Sequence, residues 1–311
     1  MARTALIAPE QRVDLLRREL TRAGATVEAD HGRLLVARDV AGWPAWAHNV
    51  WHEPEALPVP SVKRAAKQLR ARQRNWVCLP THYPRRSKLI ARQLPHVAAK
   101  PLRLGELPPA APLGGWTLLD DGWMLAAAET ASAFPNGEPA FVEDREGPPN
   151  RAYLKLCEAF ATAGRWPRPG ERCLDLGAAP GGWTWVLAQL GAEVLAVDKA
   201  ELAPRVADLA GVTVRRDSAF GLRPHHVGPV DWLVADIACT PARLHTLVDH
   251  WLAAGTVRNF ICTLKFQGET DFAAQDAFAA LPGTRLTHLY HNKHELTWIS
   301  LAPGDAAATR E

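Results

Sequence analysis

From Arg151 onward, short apolar runs alternate with helical stretches, and this alternation restricts the possible folds more than any other feature of the sequence. In order, it reads as helix RAYLKLCEAFATAG, strand ERCLDLGA, helix GGWTWVLAQLG, and strands AEVLAVDK, VTVRRDS and VDWLVADI. Helix PARLHTLVDHWLAAG, strand NFICTLKF, a helix around 269–281 and a closing hairpin, RLTHLYHN…HELTWISL, complete it. Strands this apolar, interleaved with helices, predict an α/β fold with a mostly parallel, doubly wound sheet covered on both faces. The hairpin adds an antiparallel edge strand.

The segment CLDLGAAPGGWTW stands at the first strand-to-helix junction, where such a sheet binds its ligand. Gly177, Gly181 and Gly182 permit a tight turn and close passage of backbone past a ligand. Ala178, Ala179, Pro180 and Trp183 complete the turn. The helix that follows aims its first N–H groups at the ligand, which suits the carboxylate of a methionine moiety. Asp175 is placed to orient the loop or to receive that moiety's amino group. Asp198 ends the second strand, where an acid binds the two hydroxyls of a cofactor ribose, and Asp217 ends the third, within reach of an adenine amino group. A glycine-rich turn alone is a weak signal, and GxGxxG is absent. Two acids at successive strand ends make the set specific.

The front of the chain differs in charge. Residues 1–110 carry 19 Lys and Arg against 9 Asp and Glu, whereas the rest carry 17 against 24. Between Leu57 and Gly105 there is no acid, but Lys63, Arg64, Lys67, Arg70, Arg72, Arg74, Arg85, Arg86, Lys88 and Arg92 are all present, with Lys100 and Arg103 beyond. One short basic run is usually a solvated face; an excess this one-sided implies a polyanion such as RNA. Proline-rich stretches at 51–60 and 134–150 read as linkers. They divide the chain into a small N-terminal α/β domain (1–58), a compact α/β RNA-binding module (59–147) and the doubly wound domain (148–311). No apolar run reaches the length of a membrane span, and MARTALIAPE lacks the features of a secretory leader. Five cysteines without a CxxC pair fit reduced, buried thiols in a cytoplasm. The 12 histidines are scattered, so no metal is expected.

Four ionisable residues fall at informative positions: Lys155 on the helix before the first strand, Asp236 after VDWLVA, Lys265 near the end of FICTLKF, and Glu295 opening ELTWISL. Strands of a doubly wound sheet share one carboxyl edge, so Asp236 and Lys265 converge there, and Lys155 and Glu295 would have to reach the same edge. Singly, each has an ordinary explanation: a helix lysine is commonly solvated, and an acid at a strand end is commonly a helix cap. As an ordered set they suit methylation of a hydroxyl, which needs a base and an in-line methyl donor. A lysine acts as that base only when its proton is loosened by burial or by a neighbouring cation.

In this order around DLGAAPGGWT, Lys155, Asp236, Lys265 and Glu295 resemble the Lys-Asp-Lys-Glu tetrad of the FtsJ/RrmJ-like ribose 2′-O-methyltransferases. NRAYLKLCEAF, DLGAAPGGWTW, VDWLVADI, TLKF and HELTW look like the RlmM branch, which methylates a cytidine ribose in large-subunit ribosomal RNA. The resemblance implies a Rossmann-like sheet binding S-adenosylmethionine (SAM) across Gly177–Trp183, Asp198 and Asp217, with Asp236 near the methyl end. It implies Lys265 as the base, Asp236 and Lys155 as the residues that tune it and position the hydroxyl, and Glu295 completing the network. It further implies that 59–147 is a shortened THUMP domain and that the partner is structured, ribosomal RNA. The match is strong over 148–302 and weak before it. Cys157 stands where the family has an acid, and Phe266-Gln267-Gly268 replaces its Leu-Pro.

Two alternatives compete. A SAM-binding RNA chaperone or ribosome-assembly factor with little catalysis would be free to lose a lysine of the tetrad. A methyltransferase acting on a base or small molecule calls for another fourth-strand motif, such as an NPPY-type run, where this chain has ADIACTP.

Overall fold

The structure, a computed structural model, describes residues 3–305; the first two residues of the segment read for a leader and the last six of the third expected domain lie outside it. The chain forms two compact units, one of residues up to 101 together with 108–140, the other of 102–107 and the residues from 141 on.

The first unit contains β1 (Arg3–Ile7), α1 (Val13–Arg22), β2 (Thr26–His31), β3 (Leu34–Arg38), β4 (Asn49–His52), β5 (Glu55–Pro58), α2 (Val62–Arg72), β6 (Trp76–Cys78), α3 (Pro84–Ala91), β7 (Gly114–Leu118), β8 (Trp123–Ala127) and β9 (Glu129–Thr130). They build a five-stranded sheet, β2-β3-β1-β4-β9, and a four-stranded sheet, β5-β8-β7-β6. Alternation along β8 joins the two layers. Met124 and Ala126 pack with Ala65, Ala66 and Leu69 of α2 and Ile90 of α3. Leu125 and Ala127 face the other way, onto Ala5, Ile7, Val36 and Trp51.

One expectation fails in this unit. The stretch 51–60, read as a linker, holds the end of β4 and all of β5. Its prolines are tolerated because β5 is an edge strand, paired only with β8. The boundary expected near residue 58 falls between sheets that exchange chain, since β9 follows β8 in sequence but pairs with β4.

The second unit contains α4 (Tyr153–Ala163), β10 (Arg172–Leu176), α5 (Gly182–Gln189), β11 (Glu193–Asp198), α6 (Pro204–Ala207), β12 (Val212–Arg216), α7 (Pro224–Val227), β13 (Val230–Ala235), α8 (Pro241–Ala254), β14 (Val257–Lys265), α9 (Phe272–Ala279), β15 (Thr284–Thr287) and β16 (Glu295–Ser300). The strand order is β12-β11-β10-β13-β14-β16-β15; the first five are parallel, and the hairpin of β15 and β16 is antiparallel to β14. This is the Rossmann-like sheet expected from the alternation. Pleating sends Trp232 to one face, against Phe160 of α4, with ring centroids 5.0 Å apart. Phe260 is in register with the next residue, Leu233, and so faces the other way, against Trp298, which meets Phe278 of α9. The core is thus two aromatic layers around one sheet, with the carboxyl ends of its parallel strands at one edge.

Candidate active site

Those strand ends collect the polar residues. Asp198 closes β11, Lys265 closes β14, and Asp217 and Asp236 immediately follow β12 and β13. A cavity of about 550 Å³ opens over them, lined by Gly177 to Pro180, Gly182, Trp183, Asp198, Asp217, Asp236 and Lys265 among others. Gly177 has φ +78°, and a Cβ there would come within 2.9 Å of Ile237; a Cβ on Gly182 would meet Asn150 at 2.6 Å. Both glycines keep open the turn between β10 and α5. The first turn of α5 faces the cavity through Gly182 and Trp183.

The acids differ in their state. Asp198 accepts from the backbone N–H of Ala179 at 3.0 Å and of Ala200 at 2.9 Å, which ties the glycine-rich turn to the end of β11. Asp217 takes the N–H of Ser218 and the guanidinium of Arg215, contacts that hold its carboxyl below the usual range. Asp175 is not among the cavity-lining residues. It lies within β10, only 1 % exposed, and accepts from the Thr184 hydroxyl at 2.7 Å, which ties β10 to α5. Burial, aided by Asp236 and Asp198 and opposed by the Thr184 hydroxyl, pushes its carboxyl up to about 7.

The four residues of the expected tetrad meet at one end of the cavity. Lys155 Nζ donates to both carboxyl oxygens of Asp236, at 3.1 and 3.0 Å, and to Glu295 at 3.1 Å. Lys265 Nζ lies 3.0 Å from an Asp236 carboxyl oxygen and donates to the Asp236 carbonyl at 2.7 Å. Glu295 is brought there by register, directly opposite Lys265 in the antiparallel β14–β16 pair. The two lysines are not equivalent. The Lys155 side chain is 11 % exposed and lies outside the cavity, whereas that of Lys265 is 27 % exposed and lines it. Burial alone would lower the Lys155 ammonium, but Asp236 and Glu295 outweigh it and raise it, so Lys155 stays charged.

One anchor of this cluster escaped the sequence reading. Glu158, one helical turn after Lys155 on α4 and 3 % exposed, accepts from the N–H of Tyr290 at 2.6 Å and of His291 at 2.9 Å. The His291 ring nitrogen Nδ1 is 2.6 Å from the same carboxylate. A single helix therefore carries a tetrad lysine and the clamp on the loop leading to Glu295. Phe220, Arg243 and Lys199, which also line the cavity, were likewise missed.

Of the ten expected RNA-contacting residues, nine are exposed and Arg86 is half-buried. Three have intramolecular partners: Arg70 donates to the Gln93 carbonyl, Arg72 pairs with Glu55, and Arg86 pairs with Asp121. The others extend from α2 and α3 or follow those helices, which cover one face of the four-stranded sheet. Among the described residues, the cysteines are free thiols, no cluster could hold a metal ion, and no helix is long and apolar enough to cross a membrane. Burial raises all five thiols, Cys78 and Cys157 to about 12.

Residues 148–270 match the FtsJ-like methyltransferase family. Ribosomal RNA large subunit methyltransferase M of Halorhodospira halophila is 40 % identical over 187 residues, covering 57 % of this chain and 54 % of that protein. The protein of the same name from Aromatoleum aromaticum is 38 % identical over 192 residues, 56 % and 51 % of the two chains. That from Azoarcus sp. is 33 % identical over 246 residues, 73 % and 64 %. The chain spans about half the length of the first curated relatives it matches. Its second unit carries a methyltransferase domain of the FtsJ-like family, related in sequence to the ribosomal RNA large subunit methyltransferase M proteins.

Proposed function

We propose that the protein transfers a methyl group from SAM to a ribose 2′-hydroxyl of structured RNA, namely a cytidine of large-subunit ribosomal RNA, in the cytoplasm. The observation that carries this reading is the meeting of Lys155, Asp236, Lys265 and Glu295, drawn from four elements, at one end of the cavity. The names of the relatives support the ribosomal substrate.

The cavity fits SAM in kind: glycines that leave no room for a Cβ, donors at the start of α5, and acids at the ends of β11 and β12. Gly177–Trp183 would hold the methionine part, Asp198 the ribose hydroxyls and Asp217 the adenine amino group. When bound, SAM supplies an electrophilic methyl group. Lys265, as the neutral amine, takes the proton of the 2′-hydroxyl as its oxygen becomes the nucleophile. Lys155 does not compete for that proton, because two carboxylates hold its ammonium. Asp236 bridges the two lysines and fixes the direction of the Lys265 nitrogen, and Glu295 fixes Lys155.

We assign RNA recognition to the basic module 59–147, as a compact THUMP-like domain beside the small 1–58 domain, with the 148–311 domain performing transfer. The test is methyl transfer from radiolabelled SAM to ribosomal RNA lacking modifications. Label in alkali-resistant dinucleotides supports ribose chemistry. Label on bases overturns it, and SAM binding without transfer to any RNA or assembly particle favours a non-catalytic assembly factor.

A further inference from the structure

Arg243 opens α8, shortly after Asp236, and lines the same cavity as Asp236 and Lys265. Its guanidinium lies over the Phe220 ring, 3.8 Å from the centroid. The residue is exposed, and no carboxylate pairs with it among the described residues. In contrast, the arginines ending β12 are neutralised, Arg215 by Asp217 and Arg216 by Glu201. Lys199 also lines the cavity, but it follows β11, two strands from β13, whereas Arg243 follows β13 itself. Arg243 and Lys265 are therefore two cations lining one cavity, the first following β13 and the second ending its neighbour β14.

We infer that Arg243, laid flat on Phe220, receives a backbone phosphate of the RNA at the mouth of the cavity and thereby positions the target ribose over Lys265. This rests on the function proposed above. A guanidinium stacked through its face keeps its N–H edge free, and that edge matches phosphate oxygens in a bidentate manner. The stack fixes one plane in advance, so less side-chain freedom is lost when the phosphate arrives. The cofactor gives this cation no partner. Adenosine is neutral, its ribose meets an acid, and its methionine carboxylate has the N–H groups of α5. The remaining anion in the reaction is the RNA backbone.

The test compares Arg243→Ala, Arg243→Lys and Phe220→Leu with the unaltered chain. Filter binding of transcribed large-subunit ribosomal RNA across a salt series is measured beside SAM affinity by calorimetry and the kinetics of methyl transfer. Arg243→Ala should weaken RNA binding about ten-fold and make the log–log salt slope shallower by about 0.7, while SAM affinity stays within two-fold. Arg243→Lys should keep the slope but recover only part of the affinity, and Phe220→Leu should resemble it. A ten-fold loss of SAM affinity with an unchanged salt slope would overturn the inference and make the pair a wall of the cofactor site. Unchanged RNA binding and KM would also overturn it. Failure of the underlying function shows elsewhere, as turnover that survives Lys265→Ala, while the salt slope still reports whether Arg243 meets a phosphate.

Discussion

At the residue scale, Asp175 is an acid whose depth in the sheet decides how it titrates. The sequence left it two roles, orienting the loop or meeting the cofactor's amino group, because a strand-end acid and an acid within the strand look alike there. In register with Ala196 and Val234 it lies inside the sheet and bonds only to Thr184. Its carboxyl is raised to about 7, so the unfolded chain releases this proton first as pH rises. Stability therefore falls between about pH 4 and pH 7, and the full penalty is present above that range. Asp175→Asn keeps an acceptor for Thr184 and removes the charge. Urea unfolding should show the variant gaining about 2–3 kcal/mol relative to the parent between pH 5 and pH 8. Parallel pH profiles would show that Asp175 is not the buried acid described here. The other strand-end residues were legible because strand ends in a parallel sheet fall on one edge, where Asp198, Asp217, Asp236 and Lys265 stand. Phe220 and Arg243 were not legible, since nothing in the sequence states that a ring and a guanidinium 23 residues apart will stack.

At the element scale, α4 holds the site together. Every residue from Tyr153 to Ala161 is buried, and among them are two charges, Lys155 and Glu158, each fully engaged. A buried charge is tolerable only with such partners. The Glu158 clamp spans more than 130 residues of sequence, so no local pattern announces it. Glu158→Gln weakens three hydrogen bonds to a charged acceptor and should cost about 2–3 kcal/mol in denaturant unfolding. It should also reduce kcat more than ten-fold with little change in SAM affinity, because the loop before Glu295 is released. Normal kcat at the same loss of stability would show that β-sheet register alone positions Glu295. The edge strand β5 was missed for a different reason: its prolines are turn signals in isolation and become acceptable only where one side of the strand has no partner.

At the scale of the whole molecule, charge and chemistry are separated along the chain. The unit bearing α2 and α3 carries the basic excess, and the Rossmann-like unit carries the cavity. Arg70, Arg72 and Arg86 are tied into their own unit, whereas Lys63, Lys67 and Lys88 are among the exposed residues of α2 and α3 that are not. Replacing these three with Ala should weaken RNA binding and make its log–log salt slope shallower by about 2, with SAM affinity unaffected. An unchanged slope would place the RNA on another surface. The mostly parallel sheet of the second unit and its closing antiparallel hairpin were legible from alternation; the order of its strands was not, because alternation does not say which strands are neighbours. The exchange of strands between the sheets of the first was not, because β5 and β9 are short and their partners are remote in sequence.

The central claim is that Lys265 removes the proton from a ribose hydroxyl at a site that binds the methyl donor independently of it. Its most direct test is Lys265→Ala, with methyl transfer to unmodified ribosomal RNA and SAM affinity measured on the same preparation. The account predicts a loss of kcat of at least about 10²-fold with SAM affinity within two-fold of the parent. Retained turnover, or a loss of activity fully explained by weakened SAM binding, would contradict it.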